Sequence, residues 1–422
     1  MTDEPSPGSA VPFCLSQIES FSMSSRLRSS SLSLLTLCMS ITCSAVAQDF
    51  PKLEFIGSLS IQGDSTDLSA DATLLGNGEP RNRLGGFSAL DYSPKMNSLA
   101  ALSDRGPDDG AVEYPCRVQV FELVIEPQAT PVVTARNVST ILLKDATGRS
   151  FTGSSAALRP TAEFGHRLDP EGMRFSDTGT MFVSDEYGPE LIEFSSDGTE
   201  LRRLALPSHL RVRTSHADKV VETRSNQTGR ASNRGMECLA LSSDGQFLAG
   251  LMQGPLIQDG KREDGGKIVG KNCRLLQIEL STGNTREYVY QMEDAANGNS
   301  EILAYGPNQY LVLERDSKSG EKARYRRLVQ IDLTNATDIS GTESLPADQL
   351  PNTITPAARQ DFCNFLDPRW NLAGSGMPEK IEGLTFGPNL RDGRRTLLVS
   401  TDNDFESKNP SLIWVFAVHS GS

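Results

Sequence analysis

A short apolar segment that opens on glutamate returns four times along the chain. It reads Asp169-Pro-Glu171-Gly-Met-Arg-Phe175, Gly235-Met-Glu237-Cys-Leu-Ala-Leu241, Asn299-Ser-Glu301-Ile-Leu-Ala-Tyr305 and Lys380-Ile-Glu382-Gly-Leu-Thr-Phe386. A fifth, degenerate copy, Gly85-Gly-Phe87-Ser-Ala-Leu-Asp91, carries Phe87 in the Glu place. Each full copy runs into a turn (Ser176-Asp-Thr-Gly179, Ser242-Ser-Asp-Gly245, Gly306-Pro-Asn308, Gly387-Pro-Asn389) and then a second apolar strand. Most of those second strands end on polar residues, as in Ser103-Asp104-Arg105, Ser184-Asp185-Glu186, Glu314-Arg315-Asp316 and Asp402-Asn403-Asp404. A third strand often follows. Strand, Asx-Gly turn, strand, turn, strand is a β-meander. Five spaced meanders with no helical period between them predict an all-β chain of radially repeated sheets, a β-propeller.

Successive Glu positions lie 66, 64 and 81 residues apart, more than the roughly 40–50 residues usual for one propeller blade. Six blades are favoured, with five or seven as alternatives. The polar stretches 202–234 and 254–271 read as long loops on one rim. The strands Phe55–Ile61 and Ser411–Val418 are expected to share a blade and close the ring.

The chain has 41 Lys plus Arg against 54 Asp plus Glu, a formal charge of −13. It lacks the positive field that nucleic-acid binding uses, and it is ill suited to an anionic membrane surface. Before the first strand, Met23-Ser-Ser-Arg-Leu-Arg28 leads into the apolar run Leu32–Cys43 and the small-residue stop Ala45-Val46-Ala47. This has the layout of an export signal, with Met23 as the true start, residues 1–47 as leader and 49–422 as one propeller domain. The apolar run is too short to span a bilayer comfortably. A secreted or periplasmic monomer without a membrane span is expected. Beyond the leader stand Cys116, Cys238, Cys273 and Cys363. An even count in an exported chain fits two disulfides, with Cys238–Cys273 inside one blade and Cys116–Cys363 across the ring closure as the expected pairs.

If the Glu-bearing strands are innermost, Glu171, Glu237, Glu301 and Glu382 converge on the axis at one rim. The polar ends of the second strands lie beside them. Clustered carboxylates either rise in pKa or take up a cation. An all-oxygen set outside the cell suits Ca²⁺. The candidate ligands are Glu171, Glu186, Glu237, Glu301, Glu382 and Asp402. Arg105, Arg234 and Arg315 stand beside the motifs, and their planar forks suit an anionic ester substrate. Carboxylate-held metal flanked by arginines is what metal-assisted ester hydrolysis needs. Glu171, Glu382 and Asp185 are the candidate catalytic groups. His166, three residues before Asp169, is the histidine best placed for a Ser-His-Asp arrangement. A structural alternative stays open, in which each Glu accepts backbone N–H groups of the next blade and staples the ring. No G-x-S-x-G elbow, Walker loop or dinucleotide fingerprint is present.

At these residues the chain resembles the phytase-like domain family, described as having esterase-like activity of phytase. The resemblance is carried by Gly85-Gly-Phe-Ser-Ala-Leu90 with Leu102-Ser-Asp-Arg-Gly106, and by Asp169-Pro-Glu-Gly-Met173 with Val183-Ser-Asp-Glu-Tyr-Gly188. Asn233-Arg-Gly-Met-Glu-Cys-Leu239 and Lys380-Ile-Glu-Gly-Leu384 complete it. It runs in order over about residues 53–418 and implies an exported propeller with hydrolase activity. Three functions are open at this point. One is a Ca²⁺-assisted esterase or phosphoesterase. Another is a lactonase-like propeller using Asn233, Asn299 or Asn403 beside the carboxylates. The third is a binding platform without catalysis.

Overall fold

The computed structural model describes residues 53–154 and 166–419. Met23, Ala47 and the rest of the expected leader lie outside the described residues. After β1 (Leu53–Ile61), the chain builds five four-stranded antiparallel sheets and one two-stranded ribbon. The first sheet is β2 (Phe87–Ser93), β3 (Ser98–Ser103), β4 (Arg117–Ile125) and β5 (Val133–Leu142). The second is β6 (Pro170–Phe175), β7 (Met181–Asp185), β8 (Glu190–Phe194) and β9 (Glu200–Arg203). The third joins β10 (Cys238–Leu241) and β11 (Phe247–Leu251), interrupted by the ribbon β12 (Lys261–Arg262) and β13 (Ile268–Val269), to β14 (Asn272–Glu279) and β15 (Thr285–Gln291). The fourth is β16 (Gly298–Gly306), β17 (Gln309–Arg315), β18 (Arg326–Asp332) and β19 (Ala358–Asn364). The fifth is β20 (Ile381–Phe386), β21 (Arg395–Thr401) and β22 (Ser411–Val418), with β1 as its outer strand.

The first strands touch in a cycle: β2 with β6, β6 with β10, β10 with β16, β16 with β20, and β20 with β2. Between neighbouring sheets lie five apolar layers. Side-chain alternation explains why the second strands read as unbroken apolar runs, since both faces of each sheet are buried. In β21, Leu397 and Val399 pack toward the fourth sheet while Leu398 packs toward the first. In β17, Leu311 and Leu313 face the fifth sheet while Tyr310 and Val312 face the third. This is a five-bladed β-propeller.

The described residues form five blades, not the six favoured by the spacing. The additional length lies in connections. One runs from β9 to β10, with a short helix at Lys219–Ser225. Another is the ribbon inside the third sheet. The third joins β18 to β19 and lies along β15, where Ile339 N donates to Glu287 O and Ala357 N to Val289 O, both at 2.8 Å.

The expected disulfides are absent. All four cysteines are free and buried. Cys238 on β10 and Cys273 on β14 are separated by β11. Two inter-strand spacings are about 10 Å, beyond the Cα separation of roughly 4–7 Å that a disulfide tolerates. Cys116 packs between the first and second blades and Cys363 between the fourth and fifth. The thiols serve as small apolar core groups. Among the described residues, no helix is long and apolar enough to cross a membrane.

One arginine joins the blades at the axis. The Arg174 guanidinium donates to the carbonyls of Leu90 (2.9 Å), Met173 (2.6 Å), Ile302 (2.8 Å) and Leu384 (3.2 Å), on four inner strands. It also meets Glu301 Oε2 at 3.0 Å. Glu301 Oε1 accepts from Ile302 N (2.9 Å) and from Leu239 N of the remaining inner strand (3.0 Å). Below it, Asp91 accepts from Phe175 N at 2.7 Å and from Thr385 Oγ1 at 3.1 Å.

Candidate functional site

Four of the five inner strands carry a bulge, which decides which side chain enters the central cavity, while β10 pairs with β11 without one. In the second blade, Pro170 pairs with Asp185 and Met173 with Val183, so Glu171 and Gly172 together face Ser184. In the fifth, Ile381 pairs with Thr401 and Leu384 with Val399, so Glu382 and Gly383 face Ser400. Gly172 N donates to Ser184 Oγ at 2.8 Å and latches its bulge. Glycine is required there by close approach, since a Cβ on Gly172 would lie 2.8 Å from Leu239 N and one on Gly383 2.9 Å from Leu90 N.

The fourth blade differs by one step. Asn299 pairs with Glu314 and Ile302 with Val312, so Ser300 and Glu301 face Leu313. Ser300 therefore occupies the place of Glu171, and Glu301 the place of Gly172. Ser300 lines the cavity, while the Glu301 side chain turns along the axis to Arg174. Glu301, expected as a cation ligand, is instead the inter-blade staple. In the first blade the same register puts Ser88 in the Glu place.

The cavity has a volume of about 230 Å³. Glu171, Glu237 and Glu382 enter it from the inner strands. Asp104 and Glu186 come from the ends of β3 and β7, and Arg105, Arg234, Arg315, Glu379 and Lys380 complete the charged wall. Two trios of carboxylates have oxygens that all lie within 4.8 Å of one another: Asp104, Asp169 and Glu171, and Glu171, Glu186 and Glu237. The first is neutralised in part, because Arg105 Nη1 meets Asp169 Oδ2 at 2.6 Å. The second has only a longer contact of that kind, Arg105 Nη1 to Glu186 Oε2 at 3.6 Å. Glu186 Oε1 accepts from Gly235 N at 3.1 Å and Glu237 Oε1 from Gln253 Nε2 at 2.6 Å. Glu186 Oε2 and Glu237 Oε2 are buried without a hydrogen bond.

Two unit charges at such a separation repel by about 3 kcal/mol at an effective dielectric constant of 20. Burial first, then Glu237 and Asp104, push Glu171 well above the usual carboxylate range. Burial, then Glu186 and Glu382, do the same to Glu237. The trio must hold protons or a cation. Its donors are all oxygen, two of them orphaned, which fits a hard divalent cation such as Ca²⁺.

The other expected site residues fall as follows. Glu382 lines the cavity but pairs with Arg315 Nη2 at 2.7 Å, and burial raises it to about 7 against Lys380 and Arg315. Asp185 lies behind the wall, accepting from the amides of Asp169 (2.8 Å), Tyr187 (3.3 Å) and Gly188 (2.7 Å). Burial raises Asp185 to about 6. Asp402 is paired with Lys380 Nζ at 2.7 Å and does not line the cavity. His166 stands outside it, beside Arg149 at 2.9 Å. Burial and that arginine lower its pKa. Arg105 also contacts Asp109 at 3.1 Å. Of the three asparagines, Asn233 alone lines the cavity; Asn403 Oδ1 instead holds Gly86 N at 2.9 Å.

Two residues escaped the sequence reading. Lys380 bridges Asp402, Asp404 (2.5 Å) and Asp104 (3.7 Å). Its signal was its place two residues before Glu382, on the same side of an extended chain. Asp169 signalled itself only as the first residue of its motif.

These features define a propeller whose axial cavity is lined by buried carboxylates interleaved with arginine and lysine side chains. A family profile for the phytase-like domain, described as esterase-like activity of phytase, matches residues 82–405. The chain belongs to that family. An uncharacterized secreted protein of Arthroderma benhamiae is 27% identical over 344 residues, covering 63% of this chain and 66% of the relative, just under two thirds of its length. Solved structures give weaker likenesses. A luciferin-regenerating enzyme aligns at 9% identity over 80% of this chain and 93% of its own, with a TM-score of 0.35. A family 43 arabinoxylan arabinofuranohydrolase from Bacillus subtilis aligns at 9% identity over 79% of this chain and 63% of its own, with a TM-score of 0.39.

Proposed function

We propose that the chain is an exported hydrolase of ester bonds, carboxylic or phosphoric, assisted by a divalent cation in the axial cavity. The observation that carries this reading is the trio Glu171, Glu186 and Glu237, buried together with two orphaned oxygens. Glu171, Glu186 and Glu237 would hold the cation. When bound, it supplies Lewis-acid polarisation of the ester and a bound water of lowered pKa. Gln253 and the Gly235 amide orient Glu237 and Glu186. Glu382, raised to about 7, is poised to exchange a proton near neutral pH. The family membership supports an esterase-like activity, and the relative described as secreted supports export.

The lactonase reading keeps one support. Asn233 lines the cavity with Oδ1 buried and without a partner, adding a neutral oxygen to the carboxylates. The test is elemental analysis of the purified protein, followed by phosphomonoester, carboxylic ester and lactone panels before and after chelation. Turnover that survives exhaustive chelation removes the cation from the mechanism. No turnover across all panels returns the chain to the binding platform.

A further inference from the structure

Four cationic side chains line the cavity, and three of them are engaged. Arg105 meets Asp169, Asp109 and Glu186. Arg315 pairs with Glu382 and donates to Ser300 Oγ at 2.9 Å. Lys380 sits among Asp402, Asp404 and Asp104. Arg234 differs. Among the described residues, no carboxylate forms an ion pair with it, its Nη2 donates to the Asn297 carbonyl at 3.1 Å, and its Nη1 is buried and meets no acceptor. Arg234 is half-buried, and Glu237 and Glu186 act on it only from beyond ion-pair distance, so burial still pulls the guanidinium below its ordinary pKa. The side chain is nonetheless held in place. Asn297 fixes one end, and the absence of a side chain at Gly254 makes room for the other, where a Cβ would lie 2.9 Å from Nη1 and 3.1 Å from Cδ. A fixed, unpaired guanidinium in a cavity wall presents a site for an oxyanion.

We propose that Arg234 is the anion-recognition residue of the cavity, and that its ligands are small molecules carrying a carboxylate or phosphoryl group. The inference rests on the hydrolase reading for the claim that such ligands are esters or their products, but the binding itself does not require turnover. Arg105 and Arg315, which flank motifs just as Arg234 does, are positioning residues for carboxylates. An anion held by Arg234 lies next to the Glu186 and Glu237 side of the wall, whose charges act on the guanidinium, so a cation held by the trio would reinforce its binding.

The test measures binding of inert probes by calorimetry, with Ca²⁺ present and again after chelation. Orthophosphate and methylphosphonate form one arm, acetate and butyrate the other. The expected result is one anion per chain. Its affinity should fall roughly tenfold or more in Arg234→Gln and be partly kept in Arg234→Lys, which retains charge without the fork. Arg395→Gln, an exposed arginine outside this cavity, should leave it unchanged. The stronger arm identifies the chemical source of the oxyanion. Should Arg234→Gln fail to fold, Gly254→Val keeps the arginine and displaces it, and must weaken the same probes. Equal affinity in wild type and Arg234→Gln, or no binding by either arm to wild type, overturns the proposal. Anion binding without turnover of any ester would instead leave it standing and remove the hydrolase reading.

Discussion

Replacing Arg174 by Met should destabilise the propeller by an amount that grows with pH. The side chain has the right length and no charge, so the substitution removes the donor and keeps most of the volume. Four carbonyls on four blades lose a charged donor, and Glu301 loses its cation. With Glu301 charged, breaking a buried pair of this kind costs about 3–5 kcal/mol; with it protonated, the carbonyls left without a donor cost about 1–3 kcal/mol. The pH dependence follows from Glu301. Burial raises its carboxyl to about 8 even with Arg174 and two amides pulling the other way. A carboxyl whose folded pKa lies above its unfolded value binds more protons when folded. Its stabilising contribution is therefore lost as pH rises from the unfolded pKa to the folded one. In wild type that loss ends near pH 8. Without Arg174 the folded pKa is higher still, so the variant continues to lose stability above that point, by about 1.4 kcal/mol for every pH unit until its own folded pKa is reached. Urea unfolding followed by circular dichroism at pH 6 and pH 9 reads both quantities. The destabilisation should be present at pH 6 and larger at pH 9. In a Glu301→Gln background the pH difference should vanish. A cost below about 1 kcal/mol at both pH values, far short of a broken buried pair, or one that does not change between them with Glu301 intact, would show that the axial arginine does not tie the blades together.

Three further outcomes are expected. Glu171→Gln should weaken Ca²⁺ binding by roughly tenfold or more, because it removes the carboxylate shared by both trios; an unchanged calorimetric isotherm would rule it out as a ligand. Gly172→Ala should cost about 1–3 kcal/mol, since the new methyl would lie 2.6 Å from Leu239 Cβ and 2.8 Å from Leu239 N of the next blade; a melting temperature equal to wild type would contradict the close approach. A chain beginning at Asp49, unfolded without reductant, should titrate four free thiols and show the same unfolding midpoint with and without dithiothreitol. Fewer thiols would reinstate a disulfide.

The meander repeat was legible because burying both faces of a sheet leaves apolar second strands between Asx-Gly turns, and that pattern survives without an alignment. Blade number was not. Spacing measures connection length as well as blade length, and the chain spends the whole stretch 333–357 between β18 and β19 alone. The cysteines misled for a related reason. Their even count reflects four separate core positions, and only the sheet order shows that β11 stands between Cys238 and Cys273.

The Glu ring shows where reading by residue type stops. Four glutamates align by eye, but the axis selects by bulge register, and a one-residue offset in β16 puts Ser300 in the wall and Glu301 at Arg174. The same letter in the same motif thus does two jobs. Glu171, Glu237 and Glu382 face the cavity, where their mutual repulsion calls for a cation or a proton. Glu301 is drawn to the one arginine that the second blade sends to the axis. The sequence allows the staple and the charged site to coexist, and the fold places one glutamate in the first role and three at the cavity. A ring of inward carbonyls needs a central donor, that donor needs a counter-charge, and the blade that supplies it gives up its place in the cavity wall to a serine.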